Sequence, residues 1–542
     1  MKQTLNIYTA QINPTVGDIS GNRKLILEHY AKAMEAQADL CVLPEAVLCG
    51  YTPADLILRP SFIQDLKYEV LESIIPLIGE TALILSTPWQ NKDDKKTYNA
   101  AHFIYNGAIK KTVYKQCLPN FSVMDEKRVF AEGINDSIIS FKGINIGLLI
   151  CHDTWWPEVS KTLKEKGADV FISINASPYT LNKEDFRIEF CKERTQETHL
   201  PILYTNLVGG QDEILFDGRT FTLNPNEAAE NKFTAWKTES RLLKLIQTEK
   251  DKYIFENGVS TPNLEHQENI YQGLCLGFSD YMKKCGFKKV VIGISGGIDS
   301  ALTASIATDV LGYENVTGIL LPSQFTSDHS NNDALQLAQN LNIQTYTLPI
   351  QETVHALEKI LSVTGKLQDV TIENLQARVR GTLLMGYANN TGSLLLTTGN
   401  KSEVAVGFCT LYGDMNGGFN IIKDLYKTEV YTLSRHINRN SEIIPQNSID
   451  KEPTPELREN QKDSDKLPPY EILDAILQLT IEDKKGHEEI IEKGFETKTV
   501  QDVLRLLKIS EHKRYQGAPG IKIHGTAFGL DWRYPLAHKY IY

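Results

Sequence analysis

The sequence predicts an α/β protein made of two successive halves, the second a doubly wound parallel sheet. Three observations carry that expectation. Short β-rich apolar runs ending at polar residues recur along the first half, with helical stretches between them. A polar stretch around 246–268 interrupts this pattern. Beyond it a strand, a glycine-rich loop and a helix follow one another over 289–312. Runs of this kind between helices indicate a sheet covered on its faces.

In the first half the runs are LNIYTAQI (5–12), DLCVLPE (39–45), TALILSTP (81–88), NIGLLICHD (145–153), DVFISINASP (169–178) and PILYTNLVGG (201–210). The stretch QTEKDKYIFENGVSTPNLEHQEN is polar with Gly and Pro and reads as the boundary, which gives domains over 1–255 and 256–542. The second half opens with a helical stretch near 266–285, then strand KVVIGI, the loop, and helix ALTASIATDVLG. In that helix Leu302, Ile306 and Val310 recur every fourth residue and predict one buried stripe. VTGILLPS (316–323), QTYTLPI (344–350) and GSLLLTTGN (392–400) supply the further strands. Ligands of such sheets sit at the carboxyl ends of the strands.

Composition narrows the function. The chain has 542 residues, of which 41 % are hydrophobic and 23 % charged, as in ordinary globular protein. A formal net charge of −11 argues against coating nucleic acid. No apolar run reaches the roughly 18 residues of a membrane helix, and Met1 to Asp18 lacks the core of a secretory signal. The eight cysteines are scattered without a CxxC pair, which argues against disulfides and zinc and for a reducing cytoplasm.

The loop SGGIDS (295–300) lies between strand and helix, where backbone N–H groups and the helix dipole attract an anion. Neither GxGxxG nor GxxxxGK[ST] is present. Asp299 beside phosphates would repel them without a divalent cation between, so it reads as a Mg²⁺ ligand. From composition alone the same residues also make a capped glycine turn. SGGIDS resembles the signature of the N-type ATP pyrophosphatases, which cleave ATP to AMP and pyrophosphate while activating a carboxylate or carbonyl. ENLQARVRG (373–381), TTGNKSE (397–403), YGDMNGGFNIIKDLYKTEV (412–430) and HKRYQGAPGIKI (512–523) are similar to NAD⁺ synthetase.

That resemblance implies an ATP site of Gly293, Ser295, Gly296, Gly297, Ile298, Asp299, Ser300, Thr398, Lys427 and Thr454. Lys427 would take the role of the lysine absent from the loop, and Thr454 would lie on a mobile segment (451–469) closing over the phosphates. Asn374, Arg378, Glu403, Asp414 and Lys513 would bind deamido-NAD⁺, with Asp299 and Glu403 holding Mg²⁺. For Arg378, Glu403 and Lys427 the plainer alternative is a solvated charge.

In the first half Cys151, Glu45 and Lys115 each stand at the end of a strand-like run. Residues at strand ends converge on one rim even when distant in sequence. A lysine lowers a thiol pKa and faces an oxyanion, and a carboxylate shuttles the proton. A buried cysteine is also an ordinary core residue. The arrangement resembles the nitrilase superfamily of carbon–nitrogen hydrolases, and LPNFSVMDEKRVF (118–130) and GGQDEILFDGRT (209–220) resemble the glutaminase domain fused to NAD⁺ synthetase. The implied fold is a four-layer α-β-β-α sandwich. Cys151 would attack the glutamine amide, Glu45 act as base and acid, Lys115 stabilise the tetrahedral intermediate and Glu126 support it. Tyr51, Ser177 and Phe121 would contact glutamine. Two positions depart from the family pattern, His152 in place of Glu and Phe121 in place of Tyr, both where the donor's amino-acid end is read.

The two resemblances together imply a glutamine-dependent NAD⁺ synthetase that acts on deamido-NAD⁺, ATP and glutamine through an adenylate. They also imply an ammonia route between sites and a homo-oligomer, dimer or octamer. The alternative is an ammonia-dependent synthetase whose first half is an altered, non-catalytic module. A tRNA-thiolating enzyme would want reactive paired cysteines and a basic surface, and the sequence offers neither.

Overall fold

Alternation of apolar residues along the strands decides which faces of each sheet are buried. The computed structural model describes residues 3–540 apart from Asn135, Asp251 and Asn460. The chain divides into two units, Met1–Leu264 and Glu265–Tyr542.

The first unit holds two large sheets. One has seven strands in the order Lys252–Phe255, Glu239–Glu249, Thr4–Gln11, Leu40–Val42, Ala82–Gln90, Thr97–Tyr105, Ala108–Tyr114. The other has six, in the order Ala229–Glu230, Phe221–Leu223, Ile202–Asn206, Val170–Asn175, Ile144–Ile150, Ile138–Phe141. Leu5 and Ile7 of the first sheet share one apolar core with Ile146, Leu148, Ile172 and Ile174 of the second. The intervening residues face outward. Tyr8 and Ala10 pack with Ile26 and Tyr30 of helix Ile19–Glu35, and Phe171 packs with Leu163 and Phe190 of helices Pro157–Glu165 and Lys183–Thr198. The result is the expected helix–sheet–sheet–helix sandwich. With both faces buried, the central strands read as unbroken apolar runs.

The polar stretch near 246–268 differs from the sequence reading. Its first part is strand, because Glu239–Glu249 and Lys252–Phe255 close the edge of the seven-stranded sheet, Leu245 opposite Phe255. Charged residues suit an edge strand, so their polarity conceals the pairing.

In the second unit four parallel strands stand in the order Gln344–Thr347, Val316–Leu320, Val290–Gly293, Leu394–Leu396. The strand before the glycine loop is therefore central, and the order reverses beside it, at the switch point where ligands bind. Helix Asp369–Thr391 covers one face through Leu384, Tyr387 and Ala388. Helix Ile298–Leu311 differs from the expected stripe. Every residue from Ser300 to Ala307 is buried, whereas Val310 is only half-buried. Small Ala, Ser and Thr side chains let neighbouring elements approach on all sides, so no polar face marks the helix. Leu302→Ala should accordingly lower stability by about 2–5 kcal/mol, and Val310→Ala by much less, as read from urea-unfolding midpoints.

Candidate active sites

Strand ends gather the first cluster. Leu40–Val42 delivers Glu45, Ala108–Tyr114 delivers Lys115, Ile144–Ile150 delivers Cys151 and Val170–Asn175 delivers Ser177. Lys115 is wholly buried, and its ammonium donates to Glu45 Oε1 at 2.7 Å and to Glu126 Oε1 at 2.9 Å. Asn99 Nδ2 donates to Glu45 Oε1 at 2.8 Å, and the Ala176 N–H donates to Glu45 Oε2 at 2.9 Å. Both oxygens of this carboxylate are thus held. Tyr51 Oη donates to Glu126 Oε1 at 2.8 Å.

Burial works to lower the Lys115 pKa, but Glu126 and Glu45 outweigh it and hold the ammonium charged. Burial pushes Glu126 up to about 7 against the pull of Lys115. Burial also pushes the Cys151 thiol up, Glu45 adding to the rise and Lys115 opposing it. The thiol therefore needs a base in contact with it to ionise.

Cys151 has φ +49, a left-handed backbone that turns the chain sharply from strand into the short helical turn Cys151–Trp155. Asp153 holds this turn. Its carboxylate accepts from the N–H groups of Gln116, Cys117 and Ile150 at 3.0, 2.8 and 3.2 Å, joining the turn to the segment that follows Lys115. Ser177 is held similarly. Its N–H donates to Asn206 Oδ1 at 2.9 Å, and its Oγ accepts from Nε of the fully buried Arg187 at 3.1 Å. Arg187 also pairs with Asp217 at 2.6 Å.

His152 and Phe121 meet. Their ring centroids are 5.5 Å apart, and Trp155 lies 5.0 Å from the His152 ring and 6.1 Å from the Phe121 ring. Phe121 is 44 % exposed. Burial, aided by Lys115, lowers the His152 pKa to about 4, so the imidazole is neutral near pH 7.

The second cluster surrounds a cavity of about 340 Å³ in the second unit. Gly293, Ser295, Gly297, Ile298, Asp299 and Ser300 all line it. Gly296 sits behind the loop with φ +77, where an added Cβ would stand 2.2 Å from the Ser330 carbonyl oxygen, so only glycine fits. Ser295 Oγ accepts the Gly297 N–H at 3.2 Å, and Ser300 Oγ donates to the Gly297 carbonyl at 2.9 Å. Asp299 and Glu403 occupy the first turns of helices Ile298–Leu311 and Lys401–Val406 and share the buried Lys427 ammonium. Lys427 lies 3.0 Å from Glu403 Oε1. Burial pushes Glu403 up to about 7, with Lys427 opposing and Asp299 reinforcing.

Thr398, Asp414 and Thr454 also line the cavity, but Asn374, Arg378 and Lys513 do not. Those three converge on the loop 407–411. Lys513 Nζ donates to the carbonyls of Gly407 and Cys409, both at 2.7 Å; Arg378 Nε donates to the Leu411 carbonyl at 3.3 Å; and Asn374 Oδ1 accepts from Thr410 Oγ1 at 2.9 Å. Of the two arginines of helix Asp369–Thr391, the one on the cavity is Arg380. Burial lowers its pKa to about 10, leaving it charged near pH 7, and its Nε donates to the Leu321 carbonyl at 3.0 Å. Residues two apart point to nearly opposite sides of a helix, so one of the two must face away. The segment carrying Thr454 forms a wall of the cavity. Its Glu456 Oε1 accepts from Ser327 and Ser330, both at 2.8 Å, at the start of helix Asp328–Leu341. Among the described residues no group of three or more His, Cys, Asp or Glu side chains is placed to hold a metal by itself.

Comparison with known proteins adds to this geometry. Residues 8–236 match the carbon–nitrogen hydrolase family and residues 270–517 the NAD synthase family. A glutamine-dependent NAD(+) synthetase from Synechocystis sp. is 39 % identical over 98 % of this chain and 99 % of its own length. The protein of the same name from Thermotoga maritima is 41 % identical over 99 % of both chains. The solved glutamine-dependent NAD+ synthetase from Acinetobacter baumannii, in complex with ADP, is 36 % identical and covers 98 % of each chain with a TM-score of 0.79.

The neutral His152 has a pH signature. Its folded pKa of about 4 lies below the ordinary 6.5, so its contribution to stability is present above 6.5 and lost as pH falls towards 4. His152→Phe should flatten the decline of the urea-unfolding midpoint across that window. An unchanged slope would show that the group titrates normally in the fold.

Proposed function

The chain belongs to the glutamine-dependent NAD(+) synthetases, and on that premise we propose that it amidates deamido-NAD⁺ to NAD⁺ at the expense of ATP, with nitrogen from glutamine. The observation that carries the reading is the kinship over nearly the whole length of both units.

In the first unit Glu45 takes the proton of Cys151, and the thiolate attacks the side-chain amide carbon of glutamine. The Lys115 ammonium, kept charged by its two carboxylates, faces the oxyanion of the tetrahedral adduct. Glu45 returns the proton to the departing ammonia as the C–N bond breaks, leaving a thioester on Cys151. The same carboxylate then deprotonates water, which attacks the thioester carbon. Glutamate leaves and the thiol re-forms. Tyr51 and Asn99 keep the two carboxylates in place through the whole cycle.

In the second unit the N–H groups of the Ser295–Ser300 loop and Lys427 face the ATP phosphates. Asp299 and Glu403 suit Mg²⁺, as two hard oxygen donors that leave room for phosphates and water. When bound, Mg²⁺ offsets the charge of the departing pyrophosphate. A carboxylate oxygen of deamido-NAD⁺ attacks the α-phosphorus, the bond to the β-phosphate oxygen breaks, and an adenylate results. Ammonia attacks its carbonyl carbon, AMP leaves, and a proton is lost to give the amide. Arg380 and the wall carrying Thr454 and Glu456 keep water from the phosphates. The reading includes a cytoplasmic homo-oligomer. Among the described residues no helix is long and apolar enough to cross a membrane.

The ring cluster of His152, Phe121 and Trp155 favours a second reading, in which the first unit no longer hydrolyses amides. Cys151→Ala separates the two. It should lose glutamine-supported NAD⁺ formation by more than about a thousandfold and keep ammonium-supported formation. Equal glutamine-supported rates in wild type and variant would remove the glutaminase. Asp299→Asn should lose pyrophosphate release with either nitrogen source.

A further inference from the structure

Two carboxylates from different helices can share one cation only if something sets their spacing. Asn400 connects them. Its side chain is fully buried, and its Oδ1 accepts the Glu403 N–H at 3.0 Å, capping helix Lys401–Val406. Its Nδ2 donates to Asp299 Oδ1 at 2.9 Å. The other Asp299 oxygen pairs with Lys427, so both oxygens of that carboxylate have assigned partners. The primary amide suits this place because it offers an acceptor to one helix and a donor to the other without adding charge. A carboxylate at 400 would cap equally well but repel Asp299, and a hydroxyl would cap but not reach across.

We propose that Asn400 is a positioning residue that sets the Asp299 carboxylate against Glu403 so that the pair receives the divalent cation entering with ATP. This rests on the reading of Asp299 and Glu403 as the Mg²⁺ ligands. The amide does not touch the cation. It removes the rotamer freedom that Asp299 would otherwise lose on binding, and outer partners of this kind commonly govern metal affinity.

The test uses the full chain with Mn²⁺ as probe and α,β-methylene-ATP, which cannot be cleaved at the reacting bond. Mn²⁺ affinity is read by electron paramagnetic resonance, and nucleotide affinity without metal by calorimetry in EDTA. Asn400→Ala removes both bonds, whereas Asn400→Ser keeps a capping hydroxyl and loses only the donor to Asp299. Both variants should weaken Mn²⁺ binding by roughly ten- to a hundredfold, while metal-free nucleotide binding stays within about twofold of wild type. If Asn400→Ser binds Mn²⁺ like wild type while Asn400→Ala does not, the residue is only a cap and the proposal fails. Parallel loss of metal-free nucleotide binding also overturns it, since that marks a collapsed cavity. Wild type without nucleotide-dependent Mn²⁺ binding would overturn the metal reading beneath it.

Discussion

Burying an ammonium group away from water is tolerable only when carboxylates meet it, and both units are built around that demand. In the first, Lys115 is fully buried between Glu45 and Glu126; in the second, Lys427 is nearly so between Asp299 and Glu403. Each cluster sets two carboxyl groups against one ammonium, and each unit assembles its three members from separate elements. Removing the lysine would leave two buried carboxyl groups without a counter-charge, a far larger disturbance than losing a surface pair. Strand order in the first unit, and the capped start of helix Lys401–Val406 in the second, serve to gather the members of each cluster within its own unit.

The two lysines nevertheless sit in different chemistry. On the proposed reading Lys115 acts beside a thiol whose pKa burial has raised, and its charge is of use once the carbonyl oxygen of a bound amide becomes negative. On the same reading Lys427 lines a cavity whose ligand is already anionic, and the two carboxylates beside it would repel that ligand without a second cation. The same triad of charges therefore suits acyl transfer in one setting and phosphate handling in the other, according to what shares the space.

Much of this was legible in the sequence because strand ends are legible. Glu45, Lys115 and Cys151 each close an apolar run, and the loop at 295–300 stands where a strand meets a helix. Residues in the middle of elements were harder to read. Asn99 lies within strand Thr97–Tyr105 and Arg187 within helix Lys183–Thr198, and neither position carries a local signal of what it will touch. Arg378 and Arg380 differ only in helical phase, which the motif alone does not convey. The burial of residues 300–307 on all sides escaped a stripe-based reading because the small residues there look neither apolar nor polar. His152 and Phe121 were conspicuous as departures, but their contact depends on a hairpin, Asn120–Phe121 with Met124–Asp125, folded back beside the nucleophile turn.

The depth of the Lys115 cluster also sets how the first unit answers to ionic strength. Counter-ions weaken a charge pair by approaching it, and they cannot approach Lys115, whose side chain is 0 % exposed. Pairs such as Lys127–Glu132, more than half exposed on both sides, fade as salt rises. Moderate salt therefore weakens the surface pairs while leaving the field around Lys115 largely intact.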